Sequence, residues 1–285
     1  MKIHHLSCGT LCPIGALLIN GVGGILEPSK LVCHCLLIEG SDGLILVDTG
    51  LGIQDMANPG ERLGKLPSSL YRIEQDFSRT AVRQIKSLGF RPEDVRDIVM
   101  THLDCDHAGG ISDFPWARVH VQDVEQIVAT HPETIVEKNR YSQAQFPAET
   151  QWVTHAFSQG EKWFGFEKVQ PLLESNPEIL MIPLPGHTRG HCGVAVKLPH
   201  GWLLHCGDAI FHRDELDPIE PSAPLGIKVL ESIMKDNQGA VEANQGLLRQ
   251  LYHENRDQIR FICSHDPVMF EQSLSIEVPA AAYLS

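Results

Sequence analysis

The sequence predicts an α/β protein in which strands and helices form mixed layers around one sheet system. Three observations predict it: short apolar runs rich in β-branched residues recur along the chain, helix-spaced patterns alternate with them early, and the later runs pair as hairpins. The 285 residues are 42% hydrophobic and 21% charged with no low-complexity tract, a composition able to bury a core. That length exceeds the usual domain of about 100–150 residues, but large sandwiches and barrels reach it as one domain. With no linker and no short repeat, a single domain over 1–285 is expected.

The elements follow in order. Residues 31–39 and 44–48 read as strands joined by Ser41-Asp42-Gly43, a hairpin-type turn. Ala81, Val82, Ile85 and Leu88 recur at helical spacing and stop at Gly89, so 79–88 reads as an amphipathic helix. The run 97–100 is a buried strand that delivers its end to Thr101 and His102. Further strands are expected at 117–121, 179–184, 192–198, 202–206 and 259–263, and helices at 121–130 and 240–255. Two long polar stretches, 52–77 and 131–177, are expected as pocket-forming insertions. The second carries seven of the chain's 18 aromatics, which favours a folded lid or helical insertion; a helical pair completing the core is the alternative.

Composition narrows the partners. Twenty-three Lys and Arg against 36 Asp and Glu give a net charge of −13, with the basic residues scattered, so a polyphosphate partner is repelled and nucleic-acid binding is not expected. Apolar runs such as 36–38 fall far short of the roughly 20 residues that span a bilayer, and no membrane partner is expected. The apolar stretch 16–19 is too short for a signal-peptide core of about 7–15 residues, which points to a cytoplasmic chain. Eight dispersed cysteines, several inside apolar runs, read as small reduced hydrophobes rather than a disulfide framework. Neither Cys8 and Cys12 nor Cys33 and Cys35 has a matching second pair, so packing or turn roles are preferred over a metal site.

Chemistry concentrates at Thr101-His102-Leu103-Asp104-Cys105-Asp106-His107-Ala108-Gly109-Gly110, where four groups able to bind a metal fall within six residues just after a strand. Imidazole and carboxylate together suit zinc, iron or manganese. Pro185-Gly186-His187-Thr188-Arg189-Gly190-His191, Gly207-Asp208 and Ser264-His265-Asp266 each follow another apolar run, so one sheet edge could present all of them. Any one of these alone reads as an ordinary loop; in this order they form a pattern.

That pattern resembles the metallo-β-lactamase superfamily, whose signature is HxHxDH, a His in a PGHTxGH-like segment, an Asp and a final His. The match runs from Leu46-Val47-Asp48-Thr49-Gly50 to His265. The resemblance implies a four-layer αββα sandwich with two divalent metal ions at one edge, zinc foremost and iron or manganese as alternatives. Carried over by position, His102, Asp104 and His187 would hold the first ion, Asp106, His107 and His265 the second, and Asp208 would bridge them. Asp48 and His191 would stand behind these ligands and orient them; a buried hydrogen-bonded group stabilising a turn is the plain alternative for both.

Asp104 departs from the family, which usually has His there; the diiron branch has Glu. Two divalent ions against three carboxylates leave one positive charge where His would leave two, which predicts a less acidified bridging water, weaker zinc preference and an alkaline-shifted profile. The sequence also permits Asp104 to turn away and leave a mononuclear site.

The resemblance further implies hydrolysis by a metal-bridging hydroxide, with Asp106 passing a proton to the leaving group. Asp208, where some β-lactamases use Cys, disfavours β-lactams. Only 20 residues follow His265, against the sizeable helical glutathione-binding region of glyoxalase II relatives. The most similar branch comprises N-acyl-homoserine lactonases and esterase-like hydrolases, so a small molecule with an acyl or aromatic ester or lactone group is the expected substrate. Those lactonases often carry Tyr three residues after the bridging Asp, where this chain has Phe211 and so lacks a phenolic donor. His212 either replaces that donor or is a solvent-facing loop residue. The alternatives are an iron-dependent oxidoreductase on the same scaffold, suggested by Asp104, and a thioester or phosphoester hydrolase. Oligomeric state is not legible here.

Overall fold

A computed structural model describes residues 1–173 and 176–275. One sheet holds β1 (Lys2–Leu11), β2 (Leu31–Glu39), β3 (Leu44–Val47), β4 (Val95–Val99), β5 (Arg118–Gln122) and β6 (Gln151–His155), side by side in chain order. The other holds β7 (Glu161–Trp163), β8 (Phe166–Leu173), β9 (Asn176–Pro183), β10 (Cys192–Leu198), β11 (Gly201–His205) and β12 (Ile259–Ile262), again in chain order.

Alternate residues of the central strands face opposite layers. Leu36, Ile38, Ile45, Val47 and Val99 pack between the sheets against Ile179, Met181, Val194, Val196 and Ile262. Their neighbours Leu37, Leu46 and Ile98 point the other way, onto Val82 and Ile85 of the helix Ala81–Ser87. In the second sheet Ile182, Ala195 and Leu204 meet Leu248 and Leu251 of the helix Gln238–Asn255. Both faces of each sheet are therefore covered, which is why these strands read as continuous apolar runs rather than as alternating ones. Each such side chain contributes about 1.5–3 kcal/mol on burial. The expected αββα layering is the fold that results.

The strands β1, β6, β7 and β8 were harder to read. The segment 131–177, expected as a lid or helical insertion, holds one short α-helix, Ile135–Arg140, a 3-10 turn, Gln143–Gln145, and then β6, β7, β8 and the start of β9, which complete both sheets; its residues 174–175 lie outside the described structure. Six of its seven aromatics pack in or against the core: Tyr141, Phe146 and Trp152 under the first sheet, Phe157 between the sheets, and Trp163 and Phe166 on the second, while Phe164 is exposed. Exposed Glu161, Lys162, Glu167 and Lys168 interrupt the strand pattern, as charged residues on sheet edges do. Strand β1 escaped notice for a similar reason, since His4, His5, Ser7 and Thr10 interleave with its apolar positions. The stretch 52–77 forms three short helices, Ile53–Ala57, Pro59–Arg62 and Lys65–Tyr71, whose Met56 and Tyr71 join a cluster with Cys105 and Phe211.

Direction matters more to function than layering. Strands β3 and β4 are parallel, and so are β11 and β12. Strand β9 shares the direction of β11, because both are antiparallel to β10. The chain thus leaves β3 at Asp48, β4 toward His102, β9 toward His187, β11 toward Asp208 and β12 toward His265 at consistent ends of the two sheets. All eight cysteines are free thiols. Among the described residues, no helix is long and apolar enough to cross a membrane.

Candidate metal centre

The five strand ends converge on Asp208. Its carboxylate lies 3.1 Å from His265 Nε2, 3.4 Å from His107 Nε2, 3.6 Å from His187 Nε2 and 3.8 Å from His102 Nε2. Three overlapping groups each present ligand atoms within 4.8 Å of one another: His102, Asp104 and His187; His102, His107 and Asp208; and Asp106, His107 and His265. All seven sequence-predicted ligand positions are brought together. Six are buried, and Asp106, on the helix Cys105–Ala108, is the most open of the site's carboxylates.

Hydrogen bonds behind the imidazoles decide which nitrogen faces the site. Asp48 accepts from the Thr101 amide (2.7 Å), the Thr101 hydroxyl (2.8 Å) and His107 Nδ1 (2.9 Å). A carboxylate only accepts, so Nδ1 of His107 carries a proton and Nε2 is the nitrogen turned inward, free to offer its lone pair to a metal. Having given its one proton to Asp48, the Thr101 hydroxyl accepts from His102 Nδ1 at 3.0 Å, which sets that ring the same way. His265 donates from Nδ1 to the Val32 carbonyl at 2.8 Å. Asp48 holds this position with φ 53°, a left-handed backbone rarely tolerated outside glycine and typical of strain kept at a functional site.

His102 Nε2, His107 Nε2 and Asp208 Oδ1 are buried and have no hydrogen-bond partner among the described residues. Three unpaired polar atoms in one pocket are costly unless something binds them. Their chemistry, two imidazole nitrogens and a carboxylate oxygen, fits a divalent transition metal. Burial alone would raise the Asp208 carboxyl, yet His265 and His107 hold it well below the usual carboxylate range. His191 is committed elsewhere: Nδ1 donates to the Leu184 carbonyl (3.1 Å) and Nε2 accepts from the Asp208 amide (2.9 Å), so it positions the Asp208 backbone. Gly207 makes that approach feasible, since a Cβ there would sit 2.5 Å from His191 Nε2.

Glu125 escaped the sequence reading. Fully buried on the helix Asp123–Thr130, it accepts from the amides of Leu103 and Gly190 at 3.0 Å each and from the Tyr141 hydroxyl at 3.2 Å. It therefore ties the His102 loop to the His187 loop. An acid on a helix gives no spacing signal for such a role. Cys105, inside the ligand loop, packs with Phe211 and Met56, and burial followed by the Asp106 charge pushes its thiol well up, so it stays protonated.

Arg140, also missed, changes the meaning of Asp104. Its Nε and Nη2 reach Oδ1 and Oδ2 of Asp104 at 2.5 and 2.7 Å, and Nη2 lies 2.7 Å from His187 Nε2. Asp104 does not turn away; it faces His187 at 3.0 Å while bound to this guanidinium. Burial would raise its carboxyl, but Arg140 and His102 hold it well below the usual range, and burial with Arg140 pushes His187 down to about 4. The Asp104–Arg140 pair is net neutral, as a His would be, so Asp104 adds no net charge to the site.

Phe211 is buried, stacked on His265 with centroids 5.3 Å apart and edge-on to His187 at 5.6 Å, so it forms an apolar wall of the site. His212 is buried rather than solvent-facing, because its Nδ1 accepts from the Asp214 amide (3.3 Å) and the turn is held by Glu215, which accepts from the Phe211 amide at 2.9 Å.

Sequence and fold are similar to those of known proteins. The metallo-beta-lactamase superfamily model matches residues 29–231, well over half of the chain. The chain belongs to the metallo-beta-lactamase superfamily. Within that superfamily it is 40% identical over 271 residues to the protein named "Probable metallo-hydrolase Mb2322c" of Mycobacterium bovis, covering 95% of this chain and 82% of that one. It is 27% identical to N-acyl homoserine lactonase AttM of Rhizobium radiobacter, covering 94% of each. Its fold is similar to that of a variant of Bacillus thuringiensis AiiA with N-decanoyl-L-homoserine bound at the active site, at a TM-score of 0.69, 20% identity and coverage of 97% of this chain and 96% of that one. The chain is thus a metallo-hydrolase of the superfamily by sequence and fold.

Proposed function

We propose that this metallo-hydrolase cleaves a carboxylic ester or lactone, with His102, Asp104, Asp106, His107, His187, Asp208 and His265 as the residues that line its metal centre. One observation carries the reading: three buried ligand atoms without hydrogen-bond partners among the described residues, two of them on imidazoles whose other nitrogens are held by Asp48 and Thr101. A divalent ion held there would supply Lewis acidity at the substrate carbonyl and would lower the pKa of a bound water toward neutrality. Zinc suits the mixed imidazole and carboxylate set, with iron or manganese as alternatives.

The chain's own residues then divide the work. Asp208 collects the imidazoles around one carboxylate. Asp106, the most open acid and 3.5 Å from His265 Nε2, is placed to take a proton and return it to the leaving alkoxide. Phe211 offers an apolar face to an acyl chain beside the reacting carbonyl. The lactonase named among the relatives and the acyl-homoserine in the AiiA site support this substrate class. The oxidoreductase alternative rested on Asp104 as an additional metal-facing carboxylate, and both oxygens of Asp104 are engaged by Arg140.

The test is a panel of N-acyl-homoserine lactones, simple lactones, aryl esters, thioesters and phosphoesters, assayed with protein stripped by chelator and reloaded with zinc, manganese or iron. Metal-dependent turnover of a lactone or carboxylic ester, reduced at least a hundredfold in Asp106→Asn, is expected. Turnover confined to phosphoesters, or hydrolysis indifferent to metal, would overturn the reading.

A further inference from the structure

We propose that Arg140 takes the place of one metal ion, so that the chain holds a single divalent ion on the Asp106, His107, His265 and Asp208 side of the centre. The proposal rests on the reading that these residues bind metal, and concerns how many ions they bind and where.

The two sides of the centre are unlike. On the His102, Asp104 and His187 side, Nη2 of Arg140 stands 2.7 Å from both Asp104 Oδ2 and His187 Nε2, while Nε binds the other oxygen of Asp104. A metal would have to approach those same two atoms to about 2.0–2.2 Å, which the guanidinium nitrogen already in contact with them prevents. With its Nε2 lone pair accepting from Arg140, His187 has none left for an ion there. His102 Nε2 is the one atom of that group left without a partner among the described residues. On the other side His107 Nε2 and Asp208 Oδ1, 3.4 Å apart, have no hydrogen-bond partner, and no lysine or arginine stands against them, among the described residues.

Charge points the same way. Arg140 neutralises Asp104, which leaves Asp106 and Asp208 as the carboxylates that face, and balance, one divalent ion. Arg140 is also firmly seated. It is itself largely buried, it donates from Nη1 to the Met234 carbonyl at 2.5 Å, and it ends the helix Ile135–Arg140, whose start is fixed by a Thr134–Glu137 capping box. A planar fork matched to a carboxylate is the geometry in which arginine binds most specifically.

The experiment counts ions. Chelator-stripped protein is reloaded with excess zinc, passed over a desalting column, and measured by native mass spectrometry and elemental analysis, without reference to substrate. Wild type is expected to retain one zinc per chain and Arg140→Gln two. His187→Ala is expected to leave the wild-type count at one, and His265→Ala to reduce it to zero; this pair decides the matter on wild-type Arg140 should Arg140→Gln fail to fold. Two zinc ions retained by wild type, or one ion lost with His187→Ala and kept with His265→Ala, would overturn the proposal. Failure to find an ester or lactone substrate would leave these counts untouched, so the two conclusions fail separately.

Discussion

At Asp48 a single carboxylate orients two imidazoles, His107 directly and His102 through the Thr101 hydroxyl. Outer partners of this kind typically change metal affinity 10–100-fold when removed. Asp48→Ala is therefore expected to weaken zinc binding by about that factor in a chromogenic-chelator competition, and affinity equal to wild type would refute the orienting role. Asp48 was visible in the sequence because it ends an apolar strand in a recognisable segment, as were the seven ligand positions. Thr101, Glu125 and Arg140 were not. Each is a common polar residue without distinctive spacing, and its importance arises only when segments distant in sequence meet, as when Arg140 reaches Asp104 across 36 positions.

Between elements, the helix Asp123–Thr130 joins two ligand loops through Glu125. Glu125→Ala strands two buried amides and the Tyr141 hydroxyl, at a cost of about 3 kcal/mol. A urea midpoint clearly below wild type is expected, with Glu125→Gln intermediate; a midpoint equal to wild type in the alanine variant would show that the clamp contributes nothing. Strand pairing carries a pH dependence as well. Burial pushes His5 on β1 down to about 4, and burial followed by the charge of His120 does the same to His155 on β6. As pH falls from about 6.5 toward 4, the unfolded chain protonates these imidazoles before the folded one does, so stability declines across that window. Asp113, raised to about 6 by burial and Asp55, opposes the trend, because its folded form takes up a proton first. The variant isolates the effect: His155→Gln should lose less stability between pH 7 and pH 5 than wild type, and an identical loss in both would contradict the assignment. Central strands were legible because both faces are covered; β1, β6 and β7 at sheet edges, and β8 beside β7, were not, because polar residues there blur the period.

For the molecule as a whole, the two sheets act as a frame that turns five separated chain exits toward Asp208, and the four-layer arrangement followed from the order of the motifs as much as from local pattern. What the order could not show was the filling of the centre: the same ligand sequence accommodates either two ions or one ion and a guanidinium, and only the packed position of the helix Ile135–Arg140 distinguishes them. The most direct test is anomalous diffraction at the zinc edge from crystals of the zinc-loaded protein. A peak within about 2.0–2.3 Å of His107 Nε2, His265 Nε2 and an Asp208 oxygen is the predicted result. Zinc bound away from these side chains, or no peak in a centre that remains saturated with zinc in solution, would contradict it.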